Sequence, residues 1–224
     1  MTLISNFKAT NSGYNNLFNN KEIGKLITSI HAAKISSGTE LEHIIEENKE
    51  INLIGDVDLF FDNINNFDVG TYLINKKSLK NSKISSIVSY KLRKTILVDF
   101  IIVKKNKNKS KHCYILELKS GCNFDTKKIP AEKDNLIKYE SELAKKIQAT
   151  TSIHICSFFE EDKNKIKVGL KNIFELTEIL TGRELCNLLN IKYENVLQKI
   201  NKDKIANDKY FFDKINEIMK KEIA

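Results

Sequence analysis

Two runs of β-forming residues dominate the middle of the chain, Thr95–Lys104 (TILVDFIIVK) and His112–Lys119 (HCYILELK), with only the polar loop KNKNKSK between them. A connection this short joins neighbouring antiparallel strands. Runs this apolar belong to strands that are largely buried. Each run is nevertheless interrupted by charge, Asp99 in the first and Glu117 with Lys119 in the second. Ionised side chains are almost never fully buried unless they are paired or bound to metal. Side chains alternate across a strand, so Glu117 and Lys119 point to one face. The three residues therefore form either a structural ion network or a site. As a site, two carboxylates on adjacent strands share one divalent cation, with a backbone carbonyl and water completing a set that suits Mg²⁺.

The flanking segments complete an α/β reading. Ile23, Leu26, Ile27, Ile30 and Ala33 recur at helical spacing, and Ser37-Gly38-Thr39-Glu40 has the form of a capping box opening a second helix through about residue 47. Residues 51–62 and 69–75 read as short extended pieces, and 84–91 are ambiguous. After Gly121, Asp125 or Thr126 caps a long amphipathic helix with Pro130 in its first turn and Ile129, Leu136, Ile137, Leu143 and Ile147 on its stripe. Ser152–Phe159 follows as a strand, and a strand–helix–strand order places it parallel to the Glu117 strand. Residues 165–170 read as one more short strand, and the last sixty residues read as helical. The expected architecture is a mixed central sheet flanked by helices, in one domain spanning 1–224, with a core at about 38–160 and a helical region at about 171–224.

Charge and cysteine usage narrow the partners. The 224 residues carry a formal net charge of +8, which favours a polyanion and nucleic acid first. The four cysteines and four histidines never fall at a zinc spacing, and read as reduced thiols in a cytoplasmic protein. No apolar run approaches the ~20 residues of a membrane span, and the first residues lack the regions of a signal peptide.

An acid near the end of one strand, followed after a loop by Glu-x-Lys on the next, resembles the PD-(D/E)XK nuclease superfamily. Asp99 matches the first acid, Glu117 the second and Lys119 the lysine, while Val98 stands where the name pattern has proline. The segments KSGCNFDTKKIPAE and LTGRELCNLL are similar to stretches of certain type II restriction endonucleases. The resemblance implies a Mg²⁺-dependent endonuclease that cuts a specific site in double-stranded DNA. Asp99, Glu117 and the Leu118 carbonyl would hold the metal, and Lys119 would serve the water and the scissile phosphate. It also implies a further carboxylate from the first core helix, Glu42, with Glu40 as the alternative. A homodimer follows from cutting both strands of a palindrome. The alternatives are a structure-selective or repair nuclease of the same fold, and a basic DNA-binding protein without catalysis.

Lesser candidates remain on the sequence. Lys127 and Lys128, at the start of the crossover helix, are placed to attract phosphate or simply to solvate the surface. Asp56 and Asp58 resemble a metal pair but read better as a turn and the polar face of a strand. The lysine-rich loop 104–111 either tracks a DNA backbone or is a solvated hairpin tip.

Overall fold

The computed structural model describes residues 3–7, 13–92, 97–121, 124–125, 127–147 and 149–223. In chain order, helix α1 (Lys21–Glu46) is followed by strand β1 (Asn52–Leu53), helix α2 (Val57–Asp62), strand β2 (Gly70–Asn75), and helices α3 (Lys76–Lys80) and α4 (Lys83–Leu92). Strands β3 (Phe100–Lys105) and β4 (Lys111–Lys119) then form the expected hairpin. After it come helix α5 (Ile129–Ala144), strand β5 (Thr150–Ser157), helix α6 (Lys163–Gly169), strand β6 (Ile179–Thr181), and helices α7 (Gly182–Leu189) and α8 (Tyr193–Ile223). The six strands make one mixed sheet in sequence order. The β2–β3–β4 segment is antiparallel, and β1–β2 and β4–β5–β6 are parallel. The mixed sheet, its helical cover and the helical C-terminus are those read from the sequence, but the stretch read as wholly helical also holds β6, which pairs with β5.

The chain separates into two compact units, Met1–Ile45 with Glu194–Ala224, and Glu46–Tyr193. The second holds the sheet. Its core joins Ile74, Ile101, Val103, Cys113, Ile115, Ile153 and Ile155 of the strands to Leu136, Tyr139 and Leu143 of α5. These strand residues are on the face that also carries Glu117 and Lys119, by the two-residue alternation. Ile137, placed on the buried stripe from sequence, is exposed, and Tyr139 is buried in its stead. Gly182 opens α7 so close to the end of β5 that an added Cβ would lie 2.2 Å from the Phe158 carbonyl oxygen. The helix is fixed there by a reciprocal capping box between Thr181 and Glu184.

Four local expectations are corrected. The two helices read at 21–36 and 37–47 are one, α1, with Ser37 and Gly38 in its interior. Leu26, Ala33, Leu41, Ile44 and Ile45 are all buried at continuous helical spacing, and that burial outweighs the ~1 kcal/mol cost of an interior glycine. Residues 57–62 are helical and not extended, because Asp56 caps them through the Leu59 N–H at 2.9 Å and Val57 and Phe60 bury one face. Residues 163–169 are helical too. Ile166, Val168 and Leu170 alternate like a strand, but only Ile166 and Leu170 are buried while Val168 is exposed, and Asp162 caps the first turn. Strand β3 begins at Phe100, so Asp99 stands at its entrance, not within it; residues 95–96 lie outside the described residues.

In the first unit, Ile4 N–H donates to Asn207 Oδ1 at 2.8 Å, and Ser29 Oγ donates to the Phe7 carbonyl at 2.9 Å. Burial, then the hydrogen-bonded Glu40, raises Asp203 above the usual carboxylate range. Among the described residues, no helix is long and apolar enough to cross a membrane.

Candidate active site

Strand register brings the charges together. The last pair of the β3–β4 ladder is Phe100 with Leu116, so one step further Asp99 stands opposite Glu117. The last pair of β2–β3 is Asn75 with Phe100, so one step further Lys76 stands beside Asp99. Asp99 also explains why β3 starts late. Its Oδ2 accepts the Leu118 N–H at 2.8 Å, the donor that a continuing ladder would have paired with backbone. The side chain thereby replaces a rung and is fixed by it.

Five ionisable groups gather at this corner. Lys76 Nζ lies 2.9 Å from Asp99 Oδ1, Lys119 Nζ lies 2.7 Å from Glu117 Oε1, and the same Nζ lies 2.9 Å from Glu132 Oε1 in the first turn of α5. Three carboxylates against two ammonium groups leave one formal negative charge. The Lys119 backbone is held from the other side, where its carbonyl accepts the Phe158 N–H at 2.8 Å. Burial above all, then the nearby Asp99, pushes the Glu117 carboxyl up to about 7, against the opposing pull of Lys119. Burial alone would lower Lys119, but Glu117 and Glu132 more than reverse this and raise it above an ordinary lysine. The pair thus responds asymmetrically: Lys119 gains two anions, whereas Glu117 loses more to burial and Asp99 than one lysine restores.

Asp99, Glu117 and Lys119 are therefore brought together, and Leu118 presents its backbone between them. Lys127 and Lys128 are exposed. Lys128 is paired with Asp125 at 3.1 Å, and Asp125 accepts the Lys127 N–H at 3.2 Å. Glu40 and Glu42 lie on α1, in the first unit. Asp56 and Asp58 are cap acceptors on and before α2, and Asp58 accepts the Lys83 N–H that opens α4. They lie on a helix and its cap, not on the turn and strand face expected.

Sequence reasoning missed Lys76 and Glu132. Lys76 becomes visible only once the β2–β3 register is known. Glu132 has a weaker signal, since the first turn of a crossover helix lies near the carboxyl end of the strand before it. Among the described residues, no three His, Cys, Asp or Glu side chains converge as a metal cluster. A cation at this corner would have two carboxylates, backbone oxygen and water, an all-oxygen set that suits a hard divalent ion.

No family model matches the chain, and no solved structure matches it. A curated protein does, the type II restriction enzyme HhaII of Haemophilus parahaemolyticus, at 38% identity over 226 residues covering 98% of this chain and 95% of the relative. That match spans both units, and with it the chain belongs to the type II restriction enzymes.

Proposed function

We propose that this chain is a Mg²⁺-dependent endonuclease of the PD-(D/E)XK type that hydrolyses phosphodiester bonds at a specific site in double-stranded DNA. The observation that carries the reading is the corner itself, where Glu117, pushed up to about 7 beside Asp99, is a carboxylate short of positive charge. A bound divalent ion would supply that charge, polarise the phosphate and activate a water. Asp99 and Glu117 would hold it. Leu118 N–H points toward Asp99, and the N–H and C=O of one strand residue point to the same side. The Leu118 carbonyl consequently opens past the start of β3, next to the two acids, as a third oxygen donor.

Lys119 is kept protonated by its two acidic partners, so its part is that of a fixed cation and donor. It orients the attacking water and stabilises charge on the phosphate. Glu132 sets the direction of Lys119 from the α5 side. The net charge of +8 favours the DNA backbone as partner, with Lys127 and Lys128 as contributors at the α5 end. We assign a homodimer, because cutting both strands of a two-fold site calls for two identical corners related by the DNA dyad. We take both compact units as parts of one working nuclease, since the relative matches across both. A cytoplasmic setting fits the buried thiols of Cys113, Cys156 and Cys186.

The test is digestion of a long DNA of known sequence, with Mg²⁺ and with EDTA, followed by sequencing of the ends. Discrete ends appearing with Mg²⁺ alone are expected. A smear, cleavage confined to branched DNA, or undiminished cutting in EDTA would overturn the reading.

A further inference from the structure

Asp99 carries a resident cation that the Asp–Glu-x-Lys pattern does not include. Lys76, the first residue of α3, places its ammonium 2.9 Å from Asp99 Oδ1. The geometry points to Lys76 as the counter-ion that a divalent metal displaces from Asp99. This rests on the reading that Asp99 and Glu117 hold the metal.

The two partners differ in burial and in freedom. The Asp99 side chain is 5% exposed and that of Lys76 is 47% exposed. Asp99 is pinned by the Leu118 N–H and cannot turn to water, so it requires a positive partner at all times. Lys76 stays hydrated, and a pair exposed on one side is weakly held. Its four-carbon stem lets the ammonium leave at small cost. Asp99 thus has a fixed need for a cation and an exchangeable supplier.

Lys119 is the contrast. Glu117 and Glu132 hold its ammonium from two sides at 2.7 and 2.9 Å, and its side chain is 28% exposed against 47% for Lys76. A dication seated on Asp99 and Glu117 repels both, and Lys76 is the one able to yield. The exchange is one cation for another, and Lys76 keeps its proton throughout. Asp99 remains compensated before and after, which protects the fold when metal is absent and lowers the apparent affinity when it arrives.

The experiment is a calorimetric titration of the full chain with Ca²⁺, without DNA, at constant pH and salt. The wild type is compared with Lys76→Met, Lys76→Arg and Asp99→Asn. Lys76→Met should bind Ca²⁺ at least about fivefold more tightly, the lower range of a typical coupling between two bound species. Lys76→Arg, whose charged fork grips a carboxylate with two donors, should bind Ca²⁺ more weakly than wild type. Should Lys76→Met fail to fold, Lys76→Arg carries the test, and unchanged binding there overturns the inference. If Asp99→Asn loses Ca²⁺ while Lys76→Met binds no tighter, Lys76 is not the displaced ion and the metal assignment stands. If Asp99→Asn binds Ca²⁺ like wild type, the metal assignment itself fails, and this inference with it.

Discussion

The β3–β4 hairpin buries charge at both of its ends, and the two ends deal with it in different ways. At the turn, Lys105 and Lys111 are buried. Lys105 Nζ donates to the carbonyls of Ile64 at 3.3 Å, of Asn65 at 2.7 Å and of Phe67. Lys111 Nζ donates to Asn65 Oδ1 at 2.6 Å. An ammonium has three donors, and Lys105 finds three acceptors. These contacts are to neutral oxygens, and they tie the loop after α2 to the sheet. At the other end, charge faces charge, one formal negative is left over, and Glu117 is driven up to about 7. A charged residue among apolar neighbours is common to both ends and separates nothing. What separates an anchor from a site is whether the partners leave the charge settled or in need of a further ion.

The lysine-rich loop divides along the same line. Its two flanking lysines, Lys105 and Lys111, are structural anchors, while Lys107 and Lys109 at the tip are exposed. The sharpest way to break the contrast is to disable each end in turn. At the site end, Asp99→Asn or Lys119→Ala should cut the cleavage rate at least about 10²–10³-fold, the scale for removing one group that stabilises transition-state charge. DNA binding, measured in Ca²⁺, should stay within a few-fold, because one group among many charges sets little of the affinity. Near-wild-type cutting by either variant would remove that residue from the site.

At the turn end the effect should fall on the fold. Lys105→Met leaves three carbonyls without their donor and should cost about 2–4 kcal/mol of stability, from the ~1–3 kcal/mol penalty per unsatisfied buried polar group. Urea unfolding measures it. Cleavage per folded molecule should be unchanged, and a variant as stable as wild type but catalytically dead would invert the comparison.

A smaller effect follows from pH, and it belongs to the site end alone. A carboxyl raised from 4.5 to about 7 in the folded state keeps its proton there after the unfolded chain has lost it. Without metal, its contribution to stability is therefore full below about 4.5 and declines as pH rises toward 7. The decline is at most about 3 kcal/mol, at 1.36 kcal/mol per pKa unit. A metal held as proposed would displace that proton, so Ca²⁺ affinity should rise about tenfold per pH unit up to about 7 and then level off. Glu117→Gln should abolish both slopes. A Ca²⁺ affinity flat from pH 5 to 7 in the wild type would show that Glu117 is not the titrating ligand.

What the sequence revealed depended on distance along the chain. The hairpin and the crossover were legible because each is a local pattern: two apolar runs with a short loop, then an amphipathic helix and a third run. Asp99, Glu117 and Lys119 were legible because they interrupt those runs. Lys76 and Glu132 were not. Nothing within a few residues of NKKSLK or PAEK marks either as more than a surface charge, and only the β2–β3 register and the return of α5 to the end of β4 bring them to the corner. Helices α2 and α6 were misread for a related reason. Their short apolar patterns fit a strand as well as a helix, and the aspartate caps at Asp56 and Asp162 decided between them.

The smallest expected effect tests whether Glu132 belongs to the site end at all. Glu132 and Glu117 hold the Lys119 ammonium from different elements, α5 and β4. In Glu132→Gln the side chain keeps its shape and an oxygen, but the anion is gone. Lys119 still pairs with Glu117, so it remains protonated near neutrality, and the fold should lose under about 1 kcal/mol, as for a partly exposed ion pair. Its direction is no longer fixed from the helix side, and cleavage should fall about tenfold, at the lower limit for removing a group that orients a catalytic one. The lost charge gives a second readout. Glu132 is one of the two anions raising Lys119, so its loss should bring the alkaline limb of the rate profile down toward the ordinary lysine range. A surface pair with no part in the site would move neither the rate nor that limb. Restored rate in Glu132→Asp, together with a limb returned to its wild-type position, would assign the effect to the carboxylate and not to the packing of α5.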